Sequence, residues 1–464
     1  MVFSSLEFIF IFLPVFLLVY HNVSRRAQNL IVFAGSLIFY SYGVLETPIY
    51  ILLMFVTILM NFITGQLIDF FRRAKRLLLL IGVCFNFFWL FIFKYTNFFI
   101  ENTNSLFPSL NLPLRNLILP IGISFYTFQN VSYLADVYRG KVRAETSFIR
   151  YGAYITMFPQ LIAGPIVTYD TVAQQLRKRT ENLKKFDEGL RYFTLGLGSK
   201  VIIANQIGNL WTDIANIGFE SISTKLAWLG IFAYSFQIYF DFYGYSLMAI
   251  GLGKLMGFEL PKNFDNPYMA KSVREFYRRW HITLGKWFTR YVYIPLGGSR
   301  KGILKTIRNL AVVWFLTSFW HGAGINFFAW GMSLCLFILL ERILDRKNLL
   351  EKSHVFGHLY ILFVIPLTWV CFAISDSREM AVYFGRLFGF IRGTNVKPGD
   401  YLQTLSNYGF YLLAGVFFCT PLAGKVYDKI KNNIFGMFAL AVLFWLCIDS
   451  IMKAGNNPFM YLRF

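Results

Sequence analysis

Apolar residues run along this chain in long blocks separated by short polar or basic intervals, the pattern of an all-α polytopic membrane protein. Residues 6–20, LEFIFIFLPVFLLVY, follow MVFSS, which has neither the basic n-region nor the small-residue cleavage site of a signal peptide. They predict a retained first helix. Segments 30–42, 49–67 and 77–93 come next. Arg25, Arg26 and the loop 71–76 are basic while the loop around Glu46 is acidic, so the positive-inside rule puts the N-terminus outside and both basic loops in the cytoplasm. The polar stretch 95–115 is then external, and 117–137 returns the chain to Arg139, Lys141 and Arg143. Within 151–166, FPQLIAGPI carries two prolines and Gly164, so a helix breaks there, and a break at membrane depth needs cover from protein or a water-filled cavity. After the basic linker 177–185 come 193–207 and 226–255, the latter able to tilt or to break at Gly244. The polar interval 261–308 precedes 311–340, 359–374, 408–422 and 434–451. The expectation is about eleven to thirteen transmembrane helices with re-entrant and interfacial pieces, in a single membrane domain over residues 1–464.

Composition narrows the partners. The chain is 56% hydrophobic and 15% charged, against about 25% charged in soluble domains, with a mean hydropathy of +0.51. Its formal charge of +21 comes from Lys and Arg in short loops, where they set topology and meet anionic lipid heads. No basic face alternates with stacking aromatics outside the apolar segments, so nucleic acid is not expected. Cys84, Cys335, Cys371, Cys419 and Cys447 all lie in apolar segments without a CxxC pair or a histidine at ligand spacing; they read as small buried residues, with no metal site.

Two histidines each directly follow a tryptophan, where chance placement of 5 His and 10 Trp gives about 0.1 such pairs. His321 lies in SFWHGAGINFFAWG, inside a run (311–340) with no charged residue, beside Gly322 and Gly324, which thin or break a helix. An ionisable residue at that depth marks a functional site, although a core histidine bonded to a neighbouring helix fits the same residues. His281 lies in 272–300, SVREFYRRWHITLGKWFTRYVYIPLGGSR. The spacing predicts a helix there with Phe276, Trp280, Leu284, Trp287 and Tyr291 on one face and a Glu275–Arg279 pair. A plain interfacial amphipathic helix accounts for these residues but not for the YIPLGG break after them. Asp241, in QIYFDFYGYS, and the polar residues of 120–130 suit interhelical hydrogen bonds as well as function. His21, His354 and His358 sit at segment edges. The chain lacks a GxSxG elbow with a partner, a P-loop, HExxH and a Rossmann fingerprint, which leaves serine catalysis and ATP-driven pumping unsupported. A desolvated, neutral imidazole can take a proton from a hydroxyl.

MVFSS, LPIGISFYTFQNVSYLADVYRG (119–140), FPQLIAGPI, YFDFYGYS, REFYRRWHITLGKW, YIPLGG and WHGAGINFFAWG occur in this order. Together they closely resemble the membrane-bound O-acyltransferase family, nearest the bacterial branch that O-acetylates alginate and peptidoglycan. The resemblance implies a multi-helix fold whose cytoplasmic and outer cavities meet near His321, with His281 as the second active-site position. It implies a cytoplasmic acyl thioester donor such as acetyl-CoA, with no bound cofactor, and a hydroxyl acceptor on an extracytoplasmic glycan. It also implies a separate extracytoplasmic esterase-like acetyltransferase as partner, in the bacterial inner membrane. His321 is then expected as general base, and His281 as the group that orients the donor or stabilises the oxyanion. Trp280, Trp320, Asp241 and Asn326 would line the substrate path, and Arg278 and Arg279, with Arg274 and Lys286, would hold the coenzyme phosphates. Positive-inside topology predicts the same arginines. The chain departs from the family at Thr289-Arg290, where Arg-Asp is common, and at Tyr243 and Leu247. Beyond about Leu340 it matches only as apolar segments. The rival readings are a transporter, against which no motif occurs twice, and an anchoring subunit in which both histidines are dispensable.

Overall fold

The computed structural model describes residues 1–345, 349–353 and 355–454, so His354 lies outside the described residues. They form two compact units, one of residues 1–193 and 248–261, the other of 194–247 and 262 onward. Regular structure among the described residues is helical throughout.

The first unit begins with a π-helical turn, Phe8–Phe12, that runs into α1 (Leu13–Asn22), followed by α2 (Gln28–Gly43), α3 (Ile49–Phe70) and α4 (Lys75–Leu106). Then come α5 (Ile123–Tyr138), α6 (Phe148–Thr156), α7 (Phe158–Leu161), α8 (Tyr169–Arg177) and the start of α9 (Leu183–Gly198). The helix breaks at Met157, just before FPQLIAGPI, and ends again inside the motif after Leu161, and protein covers both places. Phe158 sits among the rings of Phe12, Phe16 and Phe39 at 5.2–5.5 Å, with Phe3 from MVFSS at 6.3 Å, and its N–H donates to Ser36 Oγ at 3.1 Å. Two sequence motifs thus share one core. The stretch expected as an external loop from residue 95 is helical as far as Leu106. Its polar residues hold the following chain instead of ending the helix: Asn97 exchanges hydrogen bonds with the Arg115 backbone, and Asn104 with Leu112.

The second unit takes the end of α9, a π-helical turn at Ser199–Ala204, α10 (Asn205–Ile217) and most of α11 (Thr224–Leu255). It continues with α12 (Val273–Arg279), α13 (Ile282–Phe288), α14 (Ile303–His321) and α15 (Ile325–Leu344). The last elements are α16 (Leu349–Lys352), α17 (Phe356–Ala373), α18 (Ser377–Leu387), α19 (Asp400–Phe418), α20 (Pro421–Ile430) and α21 (Ile434–Ala454). Helix α11 passes through Gly244 unbroken. A Cβ there would stand 2.6 Å from the Gly196 carbonyl oxygen, so the glycine serves close helix approach, not a kink. The run 311–340 divides in two at Gly322-Ala323-Gly324.

Five helices among the described residues are long and apolar enough to cross a membrane: α3, α4, α15, α17 and α21. The pair α19 and α20, bent by 82°, makes a sixth if taken as one span. The other apolar segments counted toward eleven to thirteen spans are helical over most of their length but short, broken or more polar. Met157 breaks the 151–166 segment, whereas the π-helical turn after Gly198 leaves the backbone helical throughout.

Candidate active site

The site is built in the second unit from the turn between α12 and α13 and the end of α14. Helix α12 is fixed at its start by two acceptors: Ser272 Oγ takes the Glu275 N–H, and the buried Glu341 carboxylate of α15 takes the N–H groups of Val273 and Arg274. A carboxylate at a helix N-terminus meets both the unpaired donors and the positive end of the dipole. The Glu275–Arg279 pair forms as expected, with Arg279 Nη2 2.6 Å from Glu275 Oε1.

The continuous helix expected through His281 does not form. Trp280 is extended, and His281 takes a left-handed backbone, φ 43° and ψ 54°, before α13 begins. This region is sparsely populated for residues other than glycine and persists where surrounding contacts impose it. Here those contacts come from the loop after α11: Ile282 N–H donates to the Asn263 carbonyl at 2.9 Å, and Asp265 N–H to the Arg279 carbonyl at 2.9 Å. Phe276, Trp280, Leu284 and Trp287 are buried nonetheless, and Tyr291 is half-buried.

The His281 ring is 3% exposed. Its Nδ1 lies 3.1 Å from Asn263 Oδ1, and the ring stands perpendicular to Phe242 at 4.7 Å. Desolvation pushes its pKa down to about 3, so it is neutral. His321 is the last residue of α14 and is also buried. Its ring is bounded by Trp330 at 4.9 Å and Phe372 at 5.2 Å, both near perpendicular. Trp320 joins the two histidines: its indole centroid is 4.7 Å from the His321 ring and 6.3 Å from His281. Around them, Trp280 touches Phe264 and Trp369, and Trp369 stacks on Trp330. The arrangement is two imidazoles in an aromatic, water-poor wall.

The remaining expected residues divide. Asn326 is buried in the first turn of α15, against Gly324, a few residues from His321. Arg278 is exposed, whereas Arg279 is occupied by Glu275 and the Asp265 carbonyl. Asp241 forms a buried ion pair with Lys200 Nζ at 2.5 Å, which favours its structural reading. The sequence reading missed Asn263, Lys200 and Glu341. Glu341 lies just past the apolar run, and neither Asn263 nor Lys200 stands at a spacing that links it to its partner.

The profile of the membrane-bound O-acyltransferase family, MBOAT, matches residues 139–383, which include both histidines. The chain is 38% identical to the probable alginate O-acetylase AlgI of Pseudomonas putida over the full length of both. It is 35% identical to the peptidoglycan O-acetyltransferase of Helicobacter pylori, over 82% of this chain and 78% of the relative. It is 26% identical to the teichoic acid D-alanyltransferase of Bacillus subtilis, over 57% and 70% respectively.

Proposed function

The chain belongs to the membrane-bound O-acyltransferase family and is an O-acyltransferase, and from that premise we propose that it moves an acetyl group from a cytoplasmic thioester, such as acetyl-CoA, to hydroxyls of an extracytoplasmic glycan. The glycan is peptidoglycan or an exopolysaccharide, the setting is the bacterial inner membrane, and residues 1–464 act as one catalytic domain. Delivery is direct or passes through an extracytoplasmic esterase-like acetyltransferase. Relatives named for alginate and peptidoglycan O-acetylation support the acetyl group and the glycan.

The observation that carries the chemistry is the pairing of His321 and His281 across one indole, inside an aromatic wall. In the proposed step the acceptor oxygen attacks the thioester carbonyl carbon. The new C–O bond forms as the C–S bond breaks, and the hydroxyl proton passes to His321 and then to the departing sulfur. A low-dielectric site strengthens every dipole aimed at the developing charge. In this reading Trp280, Trp320 and Asn326 line the path, and the exposed Arg278 meets the donor phosphates, while Arg279 and Asp241 are held by Glu275 and Lys200.

The test uses membranes carrying wild-type or His321→Ala protein at matched levels, supplied with a labelled acetyl thioester. Ester-linked label on the glycan, or on the relay protein, is expected to fall by about 10²–10⁴-fold. Transfer retained by His321→Ala removes the catalytic role.

A further inference from the structure

We propose that Asn263 is a positioning residue for the transfer: its side-chain carbonyl holds the Nδ1–H of His281, so that Nε2 enters the site as a hydrogen-bond acceptor and not as a donor to the oxyanion. The inference rests on the reading of His281 as part of the transfer site, and it changes the role expected of that residue.

Three donors converge on Asn263 Oδ1: the Thr283 N–H at 3.2 Å, the Thr283 hydroxyl at 2.9 Å and His281 Nδ1 at 3.1 Å. A backbone N–H can only donate, so the atom it meets is the amide oxygen and the orientation of the Asn263 amide is fixed. An amide oxygen can only accept, so Nδ1 carries the proton. A neutral imidazole has one N–H, and the lone pair is therefore on Nε2. Asn263 is 1% exposed and His281 3%, so bulk water does not compete for that bond. The Asn263 carbonyl also accepts the Ile282 N–H. Side chain and backbone of one residue thus hold the left-handed turn and the ring it carries.

An acceptor nitrogen suits a substrate O–H or N–H. It takes one belonging to a group other than the attacking hydroxyl, whose own proton goes to His321. It does not suit a thioester carbonyl, which needs a donor. The two roles make opposite statements about which substrate His281 touches.

The full-length protein in detergent, labelled with ¹⁵N-histidine, gives the tautomer directly by NMR, with His281 identified from its loss in His281→Gln. The Nδ1–H form is expected in the wild type and in Asn263→Asp, which keeps an acceptor oxygen. In transfer assays Asn263→Ala is expected to lose at least about tenfold in kcat with the thioester KM unchanged, and Asn263→Asp to recover most of it. An Nε2–H wild type overturns the proposal, as does a fully active Asn263→Ala, an Asn263→Asp no better than Asn263→Ala, or a raised thioester KM. Should Asn263→Ala not fold, the wild-type spectrum and Asn263→Asp decide alone. Full transfer by His281→Gln overturns the underlying reading, and the role of Asn263 with it, whatever the spectrum.

Discussion

At Lys200 and Asp241 two charges are held 2.5 Å apart with almost no exposure to solvent. Each alone would be a buried, uncompensated charge, which costs about 3–5 kcal/mol, whereas an apolar pair of similar volume is near neutral. Lys200→Met and Asp241→Leu are each expected to lower the thermal unfolding midpoint in detergent strongly, and the double variant to regain most of it. Independent, additive losses would show that the two residues do not act as a pair. Asp241 was visible in the sequence as a carboxylate in an apolar run, but its partner was not. Lys200 stands in the middle of the 193–207 segment, and no spacing in the sequence links it to Asp241. Asn263 was equally hidden, because it stands eighteen positions before His281 across loop and helix and no periodicity links the two. His321 was legible for the opposite reason: nothing in its apolar run competes with it.

The helical hairpin of α14 and α15 sets where His321 stands, and its tightness depends on one missing side chain. A Cβ at Gly331 would fall 1.8 Å from Ser318 Oγ and 3.2 Å from the Trp314 carbonyl oxygen. Gly331→Ala is expected to spread the hairpin and reduce transfer at least about tenfold, as a displacement near 1 Å costs in other sites. Ser318→Ala with Gly331→Ala removes the closer clash and is expected to restore part of the activity. Equal activity in the single and double variants would refute this account. The hairpin was half-legible, since Gly322 and Gly324 marked a possible break but hydropathy cannot say whether a helix thins or turns. The His281 turn was not legible at all. Its residues repeat at helical spacing on both sides, and only contacts from Asn263 and Asp265 force the chain out of the helix.

For the whole molecule, the apolar blocks and basic loops gave the class correctly because lipid leaves few ways to satisfy a backbone. Among the described residues five helices, or six with the bent pair, are uninterrupted, long and apolar enough to cross a membrane on their own, whereas hydropathy also counts apolar runs that are shorter or broken. The ordered motifs identified the family because they lie where the structure is most constrained, at Phe158, at the Gly196–Gly244 approach and around both histidines. In proteoliposomes with a thioester on the basic-loop side, the proposed relay is expected to give acetylated glycan fragments on the other side only when the esterase-like partner is added. Equal transfer without the partner would establish direct delivery. The turn at His281 also bears on how this position can change over generations. Of the replacements one base away from a histidine codon, only asparagine and aspartate settle readily into a left-handed backbone, whereas leucine, tyrosine, proline, glutamine and arginine work against it. The geometry of the chain thereby restricts drift at this site to residues that keep a polar group in hand, before selection on catalysis has acted.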